Sequence, residues 1–129
     1  MKKNFIRVVI VLLMFVGINC YAQNAGTQTR ALQGEWILIL DEAGRDWTKA
    51  PFVGVEETIW VFEGDNFLIK ENNIQRGTTE IPFTGTFRIV SDAIIIRTDA
   101  GENVSVMFIL QGNTLTIRSG ERLAIYRKR

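Results

Sequence analysis

The chain has 129 residues, with 15 Lys+Arg against 14 Asp+Glu, no histidine and one cysteine. That length supports one domain around one core. Near-neutral charge argues against nucleic acid as a partner, and the missing histidine removes Ser-His and Cys-His nucleophilic machinery along with the commonest metal ligand.

Met1-Lys2-Lys3 and Arg7 give a positive start, followed by an apolar run from Val8 to Val16 and then Gly17-Ile18-Asn19-Cys20-Tyr21-Ala22-Gln23. This is the layout of a secretory signal peptide, and the run is too short to span a bilayer stably. The small residues Cys20 and Ala22 suit cleavage after Ala22. A competing reading makes Cys20 a lipid-bearing first residue, but that chemistry wants a small residue before the cysteine, and Asn19 is a poor one. Cleavage after Ala22 is preferred, which sends the chain to the periplasm or beyond. It removes Lys2, Lys3 and Arg7 and no acid, so 12 basic residues then face 14 acidic ones, a balance of −2. It also removes the only cysteine, so no disulfide supports the core. Three segments are expected: the leader over 1–22, an arm over 23–33 and a barrel over 34–129. Within the arm, Thr27 to Gln33 can form one short helical turn capped by Thr27 or Thr29.

From Trp36 onward, apolar residues recur with a period of two between turn residues. The pattern predicts eight strands, over 34–41, 56–63, 66–72, 83–90, 93–98, 103–110, 113–118 and 122–127, rich in Val, Ile, Thr, Phe and Trp. Alternation sorts their faces. Phe83, Gly85, Phe87 and Ile89 oppose Thr84, Thr86 and Arg88. Val104, Val106 and Phe108 oppose Ser105 and Met107. One face is apolar and the other mixed, as in an antiparallel sheet with one side in water. The second, fourth and sixth connections are tight, at Gly64-Asp65, Ser91-Asp92 and Gln111-Gly112. The first (Glu42 to Val55) and third (Asn73 to Pro82) are long. In an up-and-down meander, alternate connections lie at the same end. The expected fold is therefore all-β: an eight-stranded antiparallel barrel with one closed end and one decorated mouth. Such a barrel has room inside for side chains or one small ligand.

Gly34-Glu35-Trp36 opens the first strand. It resembles the Gly-x-Trp signature of the lipocalins and their bacterial lipocalin-like relatives. Trp60-Val61-Phe62-Glu63-Gly64-Asp65-Asn66-Phe67, Thr84-Gly85-Thr86-Phe87-Arg88-Ile89, Gly112-Asn113-Thr114-Leu115-Thr116-Ile117 and Tyr126-Arg127-Lys128-Arg129 are similar to those bacterial domains as well. The likeness covers roughly residues 31–129. It implies that Trp36 plugs the closed end and that a basic residue of the last strand packs on it by a cation–π contact. Arg127 is the expected partner, with Arg129 as the alternative. The chain lacks the length, C-terminal helix and disulfides of many lipocalins, and the family binds many ligands, so the likeness does not name a cargo.

No catalytic constellation, metal site or cofactor is expected. Ser91, Ser105 and Ser119 sit in turns or on a strand. Glu56 and Glu57 are adjacent on a strand and so point to opposite faces. Asp41, Glu42 and Asp46 make a solvated acidic loop rather than a calcium site, which wants six or more oxygens.

The first long loop carries Trp47, Pro51, Phe52 and Val53. These form either a lid touching cargo or a loop packing its own aromatics onto the wall. The interior set is Leu38, Trp60, Phe67, Phe87, Ile96 and Phe108, which either lines a pocket or fills the barrel. The leading functional expectation is a carrier, without enzymatic activity, for a small apolar molecule held at the mouth by Trp47, Phe52 and the interior residues. The alternative is a protein-interaction module, such as an inhibitor of an exported protease, using the arm from Gln23 to Arg30 and the mouth loops. Neither a membrane span nor nucleic acid is expected.

Overall fold

The structure is a computed structural model that describes residues 26–129. The expected leader, its cleavage site and Cys20 lie outside the described residues. A short helix, α1 (residues 26–32), leads into eight strands: β1 Gly34–Leu40, β2 Glu56–Glu63, β3 Asn66–Asn73, β4 Thr78–Val90, β5 Ala93–Thr98, β6 Asn103–Gln111, β7 Thr114–Ser119 and β8 Arg122–Lys128. Every neighbouring pair is antiparallel, and β8 pairs back onto β1 to close the barrel. Thr27 and Thr29 stand inside α1 and do not cap it.

The alternation read from the sequence holds around the ring. Trp36, Phe62, Phe67, Phe87, Ile94, Phe108, Leu115 and Tyr126 point inward and are buried in one continuous core. Aromatic rings fill its centre. Trp60 packs against Phe67 at 5.1 Å and Tyr126 at 4.7 Å, and Phe62 packs against Phe67 at 5.1 Å and Phe87 at 4.9 Å. The tilted and edge-to-face angles are those that ring quadrupoles favour.

One stretch departs from expectation. β4 begins at Thr78, not near Phe83, so most of the supposed third loop is strand. Glu80 and Pro82 hid it, because proline cannot donate to a ladder. The register answers with a bulge: Ile69 pairs with Phe83, but Glu71 pairs with Glu80. Ile81 and Pro82 together face the single residue Lys70 and neither is in a regular pair, so the missing N–H of Pro82 breaks none.

The closed end is built around Trp36, which is fully buried. Its indole N–H donates to the Leu32 carbonyl at 2.8 Å, fixing the end of α1 beneath the barrel. Lys128 Nζ lies 5.0 Å from the Trp36 ring and donates to the Gln33 carbonyl at 2.7 Å. The cation on Trp36 is therefore Lys128 and not Arg127. Parity decides this: Arg127 pairs with Ile37 on the outer face, whereas Lys128 pairs with Trp36 on the inner one. Arg129, the other expected partner, also faces outward. It bridges Glu57 at 3.2 Å and Glu35 at 4.0 Å, and Lys70 holds Glu35 at 3.1 Å. This arch crosses Ile59, which is fully buried although it faces outward.

At Gly85 the β5 backbone leaves no room for a side chain on β4. A Cβ there would meet the Arg97 carbonyl oxygen at 2.2 Å, so β4 and β5 can pair at this point only around glycine. Gly85→Ala is therefore expected to destabilise the barrel by about 1–3 kcal/mol in chemical denaturation, the range for overpacking. Thr86→Ala, one residue on and facing solvent, serves as the control. Equal stability of Gly85→Ala and the parent would contradict this packing.

Candidate functional site

The meander sends the connections after β1, β3, β5 and β7 to one end, the mouth. The loop over residues 41–55 dominates its rim. Asp41 organises that loop. Its Oδ1 accepts from the backbone N–H groups of Ala43 and Arg45, both at 2.9 Å. Its Oδ2 accepts from Arg45 Nε and from the Trp47 indole N–H, both at 2.8 Å. Burial alone would push this carboxyl up, but the bonds from Trp47, Arg45 and Ala43 outweigh it and hold the pKa down at about 2. With both oxygens engaged, Asp41 has little left to offer a cation. Among the described residues, no group of three or more Asp, Glu, Cys or His is disposed to hold a metal.

Trp47 and Phe52 stack with centroids 4.2 Å apart and planes 8° from parallel, and Arg45 sits 5.8 Å from the Phe52 ring. Phe52 is thus spent on its own loop, in line with the self-packing reading of this segment. Trp47 packs onto the core and stands on the rim between two clefts. The outer cleft, of about 320 Å³, is walled by Ile37, Ile39, Val53 and Ile74. The inner cleft, of about 270 Å³, is lined by Trp47, Glu56, Glu57, Thr58, Glu71, Asn72, Asn73, Arg76, Thr78 and Glu80.

The eight expected contact residues separate into three groups. Leu38, Phe67, Phe87, Ile96 and Phe108 are buried core, each 8% exposed or less. They fill the barrel and do not line the inner cleft. Trp60 packs on that core as the floor beneath the mouth, beside Tyr126. Burial drives the Tyr126 hydroxyl pKa upward, with the Glu42 and Asp41 carboxylates adding to it and a hydrogen bond from Trp60 opposing it. At the rim, only Trp47 of the eight lines the inner cleft, while Phe52 is turned to Trp47.

The sequence reading missed the carboxylates. Glu56 was correctly separated from Glu57, but the register brings Glu56, Glu71 and Glu80 onto the same inner face of β2, β3 and β4. Glu71 and Glu80 stand directly opposite each other, a pairing of like charges that costs stability. Among the described residues, none of the three is in an ion pair. A signal was present: Thr78 and Glu80 continue the period of two, shifted by one residue at Pro82.

No family model, curated protein or solved structure matches the chain.

The depressed pKa of Asp41 sets a pH window. The carboxylate is favoured by folding, so its contribution is complete above the ordinary value of 3.8 and is lost as pH falls towards about 2. The difference corresponds to about 2 kcal/mol. Between pH 4 and pH 2 the Trp47 indole N–H resonance is expected to shift and exchange faster, as the loop lets go. Asp41→Asn removes that transition. A Trp47 signal that does not move over this window would contradict the assignment.

Proposed function

We propose that the chain is an exported, lipocalin-like binding protein without enzymatic activity that holds a small ligand at the barrel mouth. The observation that carries this reading is the inner cleft above a filled core, with Trp47 on its wall and the unpaired Glu56, Glu71 and Glu80 facing into it. A barrel packed to its floor leaves no room for deep cargo, so the ligand rests on top. Its apolar body lies against Trp47. Its other end is basic or rich in hydrogen-bond donors, because the carboxylates otherwise repel one another. This is a more polar cargo than an alternation of apolar residues suggests.

Export is supported by the leader pattern in residues 1–22. The inhibitor alternative gains no support. Gln33 bonds to Gly64 and Leu32 is fully buried, so the described part of the arm is fastened at the closed end, far from the mouth loops.

Titration calorimetry with a panel of neutral and amine-bearing aromatic or alkyl molecules tests the proposal. Saturable binding that prefers the amines is expected. It should weaken roughly tenfold in Trp47→Ala, the loss of one aromatic contact, and at least as much in Glu71→Gln/Glu80→Gln. No saturable binding across the panel would overturn it.

A further inference from the structure

The outer wall of the barrel from Thr84 onward has an unusual composition. Its outward positions, read from the register, are Thr84, Thr86, Arg88 and Val90 on β4, Ala93, Ile95 and Arg97 on β5, and Asn103, Ser105, Met107, Ile109 and Gln111 on β6. They continue with Thr114, Thr116 and Arg118 on β7 and Leu123, Ile125 and Arg127 on β8. Arginine occurs at outward positions on four of these five strands, and no carboxylate occurs at an outward position from Thr84 onward. The acids of this half lie in the turns, at Asp92, Asp99, Glu102 and Glu121. Among the described residues, Arg88, Arg97, Arg118 and Arg127 are in no ion pair.

The same wall exposes large apolar side chains. Val90, Met107 and Ile109 are 47%, 44% and 58% exposed. The register strings them into rows, with Val90 beside Ala93, Ala93 beside Met107, Met107 beside Arg118 and Arg118 beside Leu123. A shallow cleft of about 220 Å³ opens among Met107, Ile109, Thr116, Arg118 and Leu123, with Asp92 at its margin.

We infer that the part of this wall from β4 to β7, with Arg88, Arg97 and Arg118, is a docking face for an anionic lipid bilayer. The described residues carry 12 basic and 14 acidic groups, so attraction to a negative surface cannot come from net charge. It comes from segregation. Residues 26–83, which include β1 to β3, carry 10 acidic and 5 basic side chains, whereas residues 84–129 carry 7 basic and 4 acidic ones. The molecule is thus polarised across its barrel, and a negative surface turns the arginine wall towards itself.

The intermixed side chains identify the occupant. Guanidinium groups pair with lipid phosphates in two-point contacts, while Ile109, Met107 and Val90 reach the acyl boundary. A nucleic acid would satisfy the arginines and leave the apolar side chains uncovered. A second copy docked wall to wall would set arginine against arginine, with only the marginal carboxylates Asp92 and Asp99 to offset them.

The test is co-sedimentation of the folded protein with vesicles of phosphatidylcholine alone and of equal parts phosphatidylcholine and phosphatidylglycerol. Binding to the mixed vesicles is expected at low salt, at least tenfold tighter than to the neutral ones, and weaker as salt shortens the Debye length from about 10 Å at 0.1 M to about 3 Å at 1 M. Arg88→Glu/Arg118→Glu is expected to cut binding at least tenfold, Arg88→Gln/Arg118→Gln by less, and Met107→Ser/Ile109→Ser several-fold. Lys49→Glu, which changes the same charge on the mouth loop, leaves it unaltered. Near-UV circular dichroism verifies that each variant is folded. Equal or absent binding to both vesicles would overturn the inference. So would binding that survives the charge reversal, a loss equally produced by Lys49→Glu, or self-association in place of vesicle binding.

Discussion

A fully buried indole must find an acceptor for its N–H inside the protein. For Trp36 that acceptor is the carbonyl of Leu32, and much of the closed end follows from the bond. It holds the last turn of α1 against the barrel and buries Leu32. It also leaves the carbonyls of Ala31 and Gln33 facing Lys128, whose ammonium donates to both while lying over the Trp36 ring. A cation at a helix C-terminus and over an aromatic face is favoured twice. Gly34 joins helix to strand at φ +116°, a backbone conformation that strains any larger residue, and a side chain there would also have to shift the end of Lys128.

The mouth is organised by the opposite principle. There a negative group collects donors, and Asp41 draws two backbone N–H groups, an arginine and an indole around one carboxylate. The result is a rigid rim on which Trp47 is set in place. Beyond that rim Glu56, Glu71 and Glu80 have no ion-pair partner among the described residues.

Much of the fold was legible because a period of two is hard to imitate, and its partition into inner and outer faces was correct on every strand tested by the register. One failure comes from counting across an irregularity. Residues 78–82 read as loop because Pro82 breaks the alternation, and the bulge that repairs the ladder leaves no mark in composition. Glu71 and Glu80 were lost with it. The closing cation slipped by one residue, from Arg127 to Lys128, because several basic residues follow Tyr126 and only the pairing with Trp36 selects among them. The interior aromatics were found, but whether they enclose a space or fill it depends on how rings tilt against one another, which no linear pattern records.

Closure of the barrel rests on β8 pairing with β1, and these strands lie at opposite ends of the described chain. Every other pair joins neighbours and can zip locally once both strands exist. The seam alone carries the full loop-closure entropy of the domain and a high contact order, and these slow folding. A ribosome delivers β8 after the other seven strands, so β1 waits with an open edge until it emerges. Hairpins can accumulate in that interval, but the sealed, hydrogen-bonded ring cannot. The position of one strand pair therefore acts as a timer, keeping the ring open until β8 has been made.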